Sequence, residues 1–179
     1  MTHMTTREML TQSVCLYNKF DVEELIEDMA DVITEEMYQS NPIILCVMNG
    51  GLIFTSQLMA NMHFPMEFDY CQVSRYGNDE VGGELKWKKC PEIDMKDRTV
   101  IICDDIFDTG HTMVAIVNYC KTRGAKEVKT AVLLNKQERN EVEFQPDYCG
   151  FTIPDLWVFG YGMDNSGYWR NLPEIRYMK

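Results

Sequence analysis

The chain has 179 residues, 45% of them hydrophobic, with 28 acidic against 17 basic side chains and a net charge of −11. That length suits a single globular domain with one core, and the sign of the charge excludes a broad electrostatic hold on nucleic acid or an anionic membrane. A phosphate-bearing ligand would have to be gripped locally, by backbone amides, a few placed cations and a metal ion.

The opening segment MTHMTTREMLTQSVC has neither the basic start nor the apolar stretch of a secretory signal, and no apolar run approaches the ~18 residues of a membrane span. A cytoplasmic protein is expected. The seven cysteines, Cys15, Cys46, Cys71, Cys90, Cys103, Cys120 and Cys149, are odd in number and scattered without zinc spacing, so they read as free thiols in a reducing compartment.

From Asp21 the apolar residues Val22, Leu25, Ile26, Met29, Ile33 and Met37 recur at helical spacing, with Asp21 and Glu24 forming the expected capping box and Pro42 marking the break. Acids fill the opposite, solvated face. The run Ile43 to Met48 is too short for a helix and ends in Asn49-Gly50-Gly51, which predicts a strand buried on both faces. A helix through Leu52, Phe54, Leu58 and Met62 follows it. Phe68 to Tyr76, rich in aromatic and β-branched residues, predicts another strand. After it, Gly77 to Asp94 predicts a long functional loop able to form a hairpin.

The same order then recurs. Val100 to Cys103 is a buried strand, Asp104 to Gly110 a loop, and Met113, Ile116, Val117 and Cys120 a helix stripe closed by Gly124. Val128 to Leu134 is a further strand. Strands alternating with helices imply a mostly parallel sheet with ligands at its carboxyl ends, the α/β class. The aromatic-rich tail after Pro146 predicts a small lobe over the site. One domain, residues 1–179, is expected, with its core at about 20–145 and the lobe built from the N-terminal segment and about 146–179.

Thr99 to Met113, TVIICDDIFDTGHTM, concentrates the chemistry. Amides at a helix start, with the hydroxyls of Thr109 and Thr112, make an anion site, and Gly110 permits close approach of the main chain. Asp104 and Asp105 are suited to accept hydrogen bonds from adjacent hydroxyls such as those of a ribose. Asp108, between these features, is placed to take or share a proton.

The segment resembles the phosphoribosyl pyrophosphate motif of the type I phosphoribosyltransferases, an apolar strand with two acids followed by D-[ST]-G-x-T. From about Ile43 onward the details are similar to the hypoxanthine-guanine branch. The resemblance implies the family fold: a central, mostly parallel sheet flanked by helices, with a C-terminal hood and a mobile active-site loop. It assigns the phosphoribosyl group to Asp104, Asp105, Asp108, Thr109, Gly110, His111 and Thr112, with Asp108 catalytic. Pyrophosphate falls to Met48, Asn49, Gly50, Gly51 and Arg170, with a cis peptide between Met48 and Asn49. The purine falls to Lys136, Trp157, Val158 and Asp164, the lid to Ser74, Arg75 and Tyr76, and magnesium to Asp104, Asp105 and Asp164.

By the same resemblance the activity is transfer of phosphoribosyl to a 6-oxopurine, by a homodimer or homotetramer that binds neither nucleic acid nor membrane. A non-catalytic sensor of phosphoribosyl pyrophosphate on the same fold is the rival. It would leave Lys136, Trp157 and Asp164 without a use. Three departures stand out: Asn49 replaces a usual Lys or Arg, Arg75 a common serine, and Leu156 stands where some members carry a second lysine near the base.

Overall fold

The computed structural model describes residues 6–75 and 85–179. In chain order its elements are α1 (Thr6–Gln12), β1 (Ser13–Tyr17), α2 (Lys19–Met37), β2 (Ile43–Met48), α3 (Leu52–Asn61), β3 (Glu67–Arg75), β4 (Leu85–Lys89), β5 (Thr99–Phe107), α4 (His111–Thr122) and β6 (Glu127–Asn135). A 3-10 turn at Gln137–Arg139, β7 (Tyr148–Thr152), β8 (Val158–Phe159) and β9 (Ile175–Met178) complete it.

Six strands form one sheet in the order β4-β3-β2-β5-β6-β7. All neighbours are parallel except the antiparallel edge pair β3 and β4. This is the mostly parallel α/β sheet expected. Its central strands are buried on both faces, which is why β2 and β5 read as unbroken apolar runs. On one face Val22, Ile26 and Ile33 of α2 pack with Phe54 and Leu58 of α3. On the other, Met113, Ile116, Val117 and Cys120 of α4 cover Ile43, Leu45, Val100 and Ile102.

Three local differences from the sequence reading have clear causes. The capping box of α2 lies one turn earlier than expected: Asn18 Oδ1 accepts from the amides of Phe20 and Asp21, and Asp21 Oδ2 accepts from Asn18 N at 2.8 Å. Asp21 therefore closes the box rather than opening it. β5 does not stop at Cys103. Asp104, Ile106 and Phe107 pair with Val132, Leu134 and Asn135 of β6, so the two acids ride on the strand rather than in a loop. β7 joins the core sheet beside β6, and the hood therefore begins after Ile153 rather than near residue 146.

The hood is a second, antiparallel sheet, β1-β9-β8. Ser13 pairs with Met178 and Val158 with Tyr177, so a segment near the N-terminus and the final strand jointly support the loop that carries Trp157. The residues Gly77 to Asp94 do contain a hairpin partner, since β4 pairs antiparallel with β3. Among the lid residues expected, Ser74 ends β3 with Arg75, whereas Tyr76 lies outside the described residues. All seven cysteines are unpaired. Burial pushes the thiols of Cys46 up to about 11 and Cys120 up to about 12, which leaves them inert as nucleophiles.

Candidate active site

The carboxyl ends of β2, β5 and β6 meet at one edge of the sheet, and the polar residues singled out in the sequence converge there. β5 supplies Asp104 and Asp105. Each carboxylate accepts from the next amide: Asp105 N to Asp104 Oδ1 at 2.9 Å, Ile106 N to Asp105 Oδ1 at 3.0 Å. Burial pushes the Asp104 carboxyl well above the usual range, and the neighbouring charge of Asp105 adds to the effect. Burial raises Asp105 as well, opposed by its hydrogen bond with Asp104 and by the positive charge of Arg170.

Beyond β5 the chain turns through Asp108-Thr109-Gly110 into α4. Gly110 caps the helix in the left-handed conformation, φ +88°, and a Cβ there would strike Val142 and Phe107. Glycine is thus required twice over. The first backbone bond of the helix runs from Val114 N to Gly110 O, so the preceding amides have no acceptor within the helix and suit an anion. A cavity of about 220 Å³ lies here, bounded by Asp104, Asp105, Asp108, Thr109, Gly110 and Thr112. At the first position of α4, His111 Nε2 is 2.8 Å from Glu141 Oε2.

On the other side of β5 stands the loop after β2, where the Met48–Asn49 peptide is cis. The loop presses on the acids: a Cβ on Gly50 would overlap the Asp105 carboxylate, and one on Gly51 would lie 2.9 Å from Cys103 O. The Gly51 amide is spent internally, donating to Val47 O at 3.0 Å, so this residue contributes close approach rather than a free donor. Asn49 is exposed, with Gln72 Nε2 3.5 Å from its Oδ1.

Arg170 reaches the same place from the hood. Its Nη1 donates to Gly162 O at 2.7 Å and its Nη2 pairs with Asp164, whose other oxygen accepts from Gly167 N at 2.6 Å. Asp164 therefore orients Arg170, with both of its oxygens already engaged. Among the described residues no group of three or more His, Cys, Asp or Glu is arranged to hold a metal ion, and Asp164 does not join Asp104 and Asp105 in a common cage. The adjacent carboxylates of buried Asp104 and half-buried Asp105 nevertheless suit magnesium, which binds through one or two carboxylates and completes its shell from substrate oxygens and water.

A second cavity, about 190 Å³, adjoins the first and shares Asp105, Ile106 and Asp108 with it. Its other walls are Lys136, Trp157, Val158, Met163 and Asp164. Lys136 is 7% exposed and Trp157 62% exposed. Those values invert the ordinary expectation for a lysine and a tryptophan: the lysine is buried and the indole open to solvent.

Sequence reasoning missed three residues around this pocket. Asn140 Nδ2 donates to Asp108 O at 2.8 Å and to Lys136 O at 3.2 Å, tying the two chain segments together. Arg139 Nε lies 2.7 Å from Asp108 Oδ1, and Asp155 Oδ1 accepts from Lys136 Nζ at 3.1 Å. The short spacing from Lys136 to Arg139 and Asn140 was the available signal. The position of Asp155 had none, because it arrives from a different segment.

The sequence profile of the phosphoribosyl transferase domain matches residues 16–166. The chain belongs to the phosphoribosyltransferase family. Within the family it is 36% identical over 161 residues to the hypoxanthine-guanine phosphoribosyltransferase of Lactococcus lactis, covering 88% of this chain and 87% of that one. It is 35% identical over 165 residues to the bifunctional protein TilS/HprT of Listeria monocytogenes, covering 92% of this chain but 26% of that much longer protein. A crystal structure of a hypoxanthine phosphoribosyltransferase from Staphylococcus aureus superposes with a TM-score of 0.89 at 26% identity, covering 96% and 94% of the two chains. That superposition covers nearly the whole chain and so takes in both the six-stranded sheet and the hood.

Proposed function

We propose that this chain transfers a 5-phosphoribosyl group from phosphoribosyl pyrophosphate to N9 of hypoxanthine or guanine, forming IMP or GMP and pyrophosphate in purine salvage. The observation that carries the reading is the pair of adjoining cavities with a common wall of Asp105, Ile106 and Asp108. One is lined by the features of an anion site, the other by a buried lysine and an exposed indole. A reaction that joins a sugar phosphate to a flat base needs such a junction.

In this reading the amides at the start of α4, that of His111 among them, hold the 5-phosphate with Thr109 and Thr112. Asp104 and Asp105 accept from the ribose hydroxyls, fixing C1′ between leaving group and base. Asp104 and Asp105 would also hold magnesium, which would supply positive charge to offset that of the pyrophosphate leaving group. Arg170, aimed by Asp164, and the Met48 to Gly51 loop grip the same group. Asp108 accepts or shares the proton at N7. The lid segment around Ser74 to Tyr76 would keep water from the cationic sugar.

Base choice follows from Lys136. Its ammonium donates to a 6-oxo group but meets another donor in a 6-amino group, so adenine is refused. Trp157 stacks on the base, and the Val158 carbonyl accepts from the 2-amino group of guanine. A sensor without activity would have no use for this purine wall.

The test is nucleotide formation from phosphoribosyl pyrophosphate and magnesium with hypoxanthine, guanine, xanthine and adenine in parallel. Product with a 6-oxopurine and none with adenine is expected, and no product with any base ends the enzyme reading. Assembly as a homodimer or homotetramer in the cytoplasm belongs to the same proposal. Light scattering of the purified chain checks the assembly. Among the described residues no helix is long and apolar enough to cross a membrane.

A further inference from the structure

Four charged side chains around the base pocket form a continuous series. Lys136 Nζ donates to Asp155 Oδ1 at 3.1 Å, Asp155 Oδ2 accepts from Arg139 Nη1 at 3.4 Å, and Arg139 Nε lies 2.7 Å from Asp108 Oδ1. The ends of the series, Lys136 and Asp108, both line the pocket. The middle members, Arg139 and Asp155, are absent from its lining.

The series has a local cause. Lys136 follows the last residue of β6 and caps the 3-10 turn Gln137–Arg139, closed by Arg139 N donating to Lys136 O at 2.8 Å. In that geometry residues three apart eclipse one another, so both cations project to one side, where a single carboxylate spans them. Asp155 is delivered there because Ile153 N donates to Asn135 O at 2.9 Å, locking the start of the hood to the end of β6.

At the far end the contact is electrostatic rather than saturating. Asp108 Oδ1 is buried and makes no hydrogen bond, although Arg139 Nε is near, because the guanidinium N–H is not directed at it. Arg139 therefore holds the carboxylate in place and leaves its acceptor capacity for another donor. A planar guanidinium can face two carboxylates at once through separate nitrogens, which a lysine ammonium on a flexible stem does not reproduce.

We infer that Arg139 and Asp155 are positioning residues that align Asp108 with the proton at N7 and Lys136 with O6 of the purine before the base arrives. The inference rests on the function proposed above and deepens it. Arg139 acts through Asp108 and so bears on turnover. Asp155 acts through Lys136 and so bears on base affinity. Coupling between them makes the two ends of the purine one preset unit.

The experiment compares the native chain with Arg139→Gln, Arg139→Lys, Asp155→Asn and the Gln/Asn double variant, varying hypoxanthine and phosphoribosyl pyrophosphate separately and recording Tm. Arg139 and Asp155 are 43% and 50% exposed, so the variants should fold with Tm close to native. For Arg139→Gln we expect kcat to fall about tenfold to a hundredfold, the size of effect that follows misplacement of a reacting group. Arg139→Lys should recover part of that loss. Asp155→Asn should raise the KM for hypoxanthine and leave the KM for phosphoribosyl pyrophosphate within about twofold, and the double variant should lose less than the product of the single losses. An active native chain with unchanged variants overturns the positioning role alone. So does a fall in Tm with equal losses for both substrates, which marks a structural role. A native chain that makes no nucleotide overturns the inference together with the function it rests on.

Discussion

The main chain of Gly50 lies so close to the carboxylate of Asp105 that a Cβ at position 50 would overlap it. Two expected subsites, one for pyrophosphate and one for ribose, thus share a surface with no room between them. Gly50→Ala must move either the loop or the acid. Overpacking of this kind costs about 1–3 kcal/mol, and displacement of Asp105 should lower kcat/KM by about a hundredfold. Steady-state kinetics beside thermal unfolding separates the two losses.

Asp108 stands on the wall common to both cavities with a buried oxygen that makes no hydrogen bond. Asp108→Asn keeps the shape and removes the base. Turnover should fall by about 10²–10⁴, while binding of phosphoribosyl pyrophosphate, measured by calorimetry, should change little. Equal losses in both would make Asp108 a binding group instead.

Burial holds the pKa of Asp104 above that of the unfolded chain, and the charge of Asp105 adds to it. For a raised carboxyl the sign runs one way: its contribution to stability is full below the ordinary carboxylate range and is lost as pH rises through the raised value. Above that window the ligand-free protein carries an unfavourable buried charge. Asp104→Asn should therefore raise Tm at neutral pH, by roughly 2–4 °C for each kcal/mol recovered, and flatten its pH dependence, while activity is lost. A Tm at pH 7 equal to or below native would count against this account.

Lys136 donates to Asp155 from a nearly closed site. In Lys136→Met the apolar stem is retained and the charge removed. A hydrogen bond to a charged group contributes about 1.5–3 kcal/mol, so the KM for hypoxanthine should rise roughly ten- to a hundredfold, with that for phosphoribosyl pyrophosphate unchanged. Discrimination against adenine should narrow in the same assay, and a ratio of the two bases that stays fixed would remove Lys136 from base choice.

The parts of this protein legible in its sequence are those governed by local pattern. Ile43 to Met48 could be read as a buried strand because six apolar residues end at a glycine pair, and α4 because its stripe is bounded by Gly110 and Gly124. The motif at Asp104 to Thr112 could be picked out for the same reason, and its residues, His111 apart, line one cavity. Reading failed where a partner lies elsewhere in the chain. β5 runs on to Phe107 because β6 supplies hydrogen-bond partners, which nothing within residues 99–107 announces. Asn18 displaced Asp21 as the cap because local polar residues competed for one set of amides. Asp164 carried no sign that Arg170 and Gly167 would occupy its oxygens, nor Asp155 that it would bridge two cations.

The hood sheet pairs β1 with β9, and Arg176 Nε bonds Ser13 Oγ across 163 positions of the chain. During synthesis every strand of the six-stranded sheet, through β7, leaves the ribosome before β9 does. Ser13 must wait for its partner. Trp157 depends on the same late event, because Met178 N donates to its carbonyl at 3.2 Å. The wall of the second cavity that carries Trp157 and Val158 is thus the last to gain its strand partner, after the strands that bring Asp105, Ile106 and Lys136 to the opposite wall.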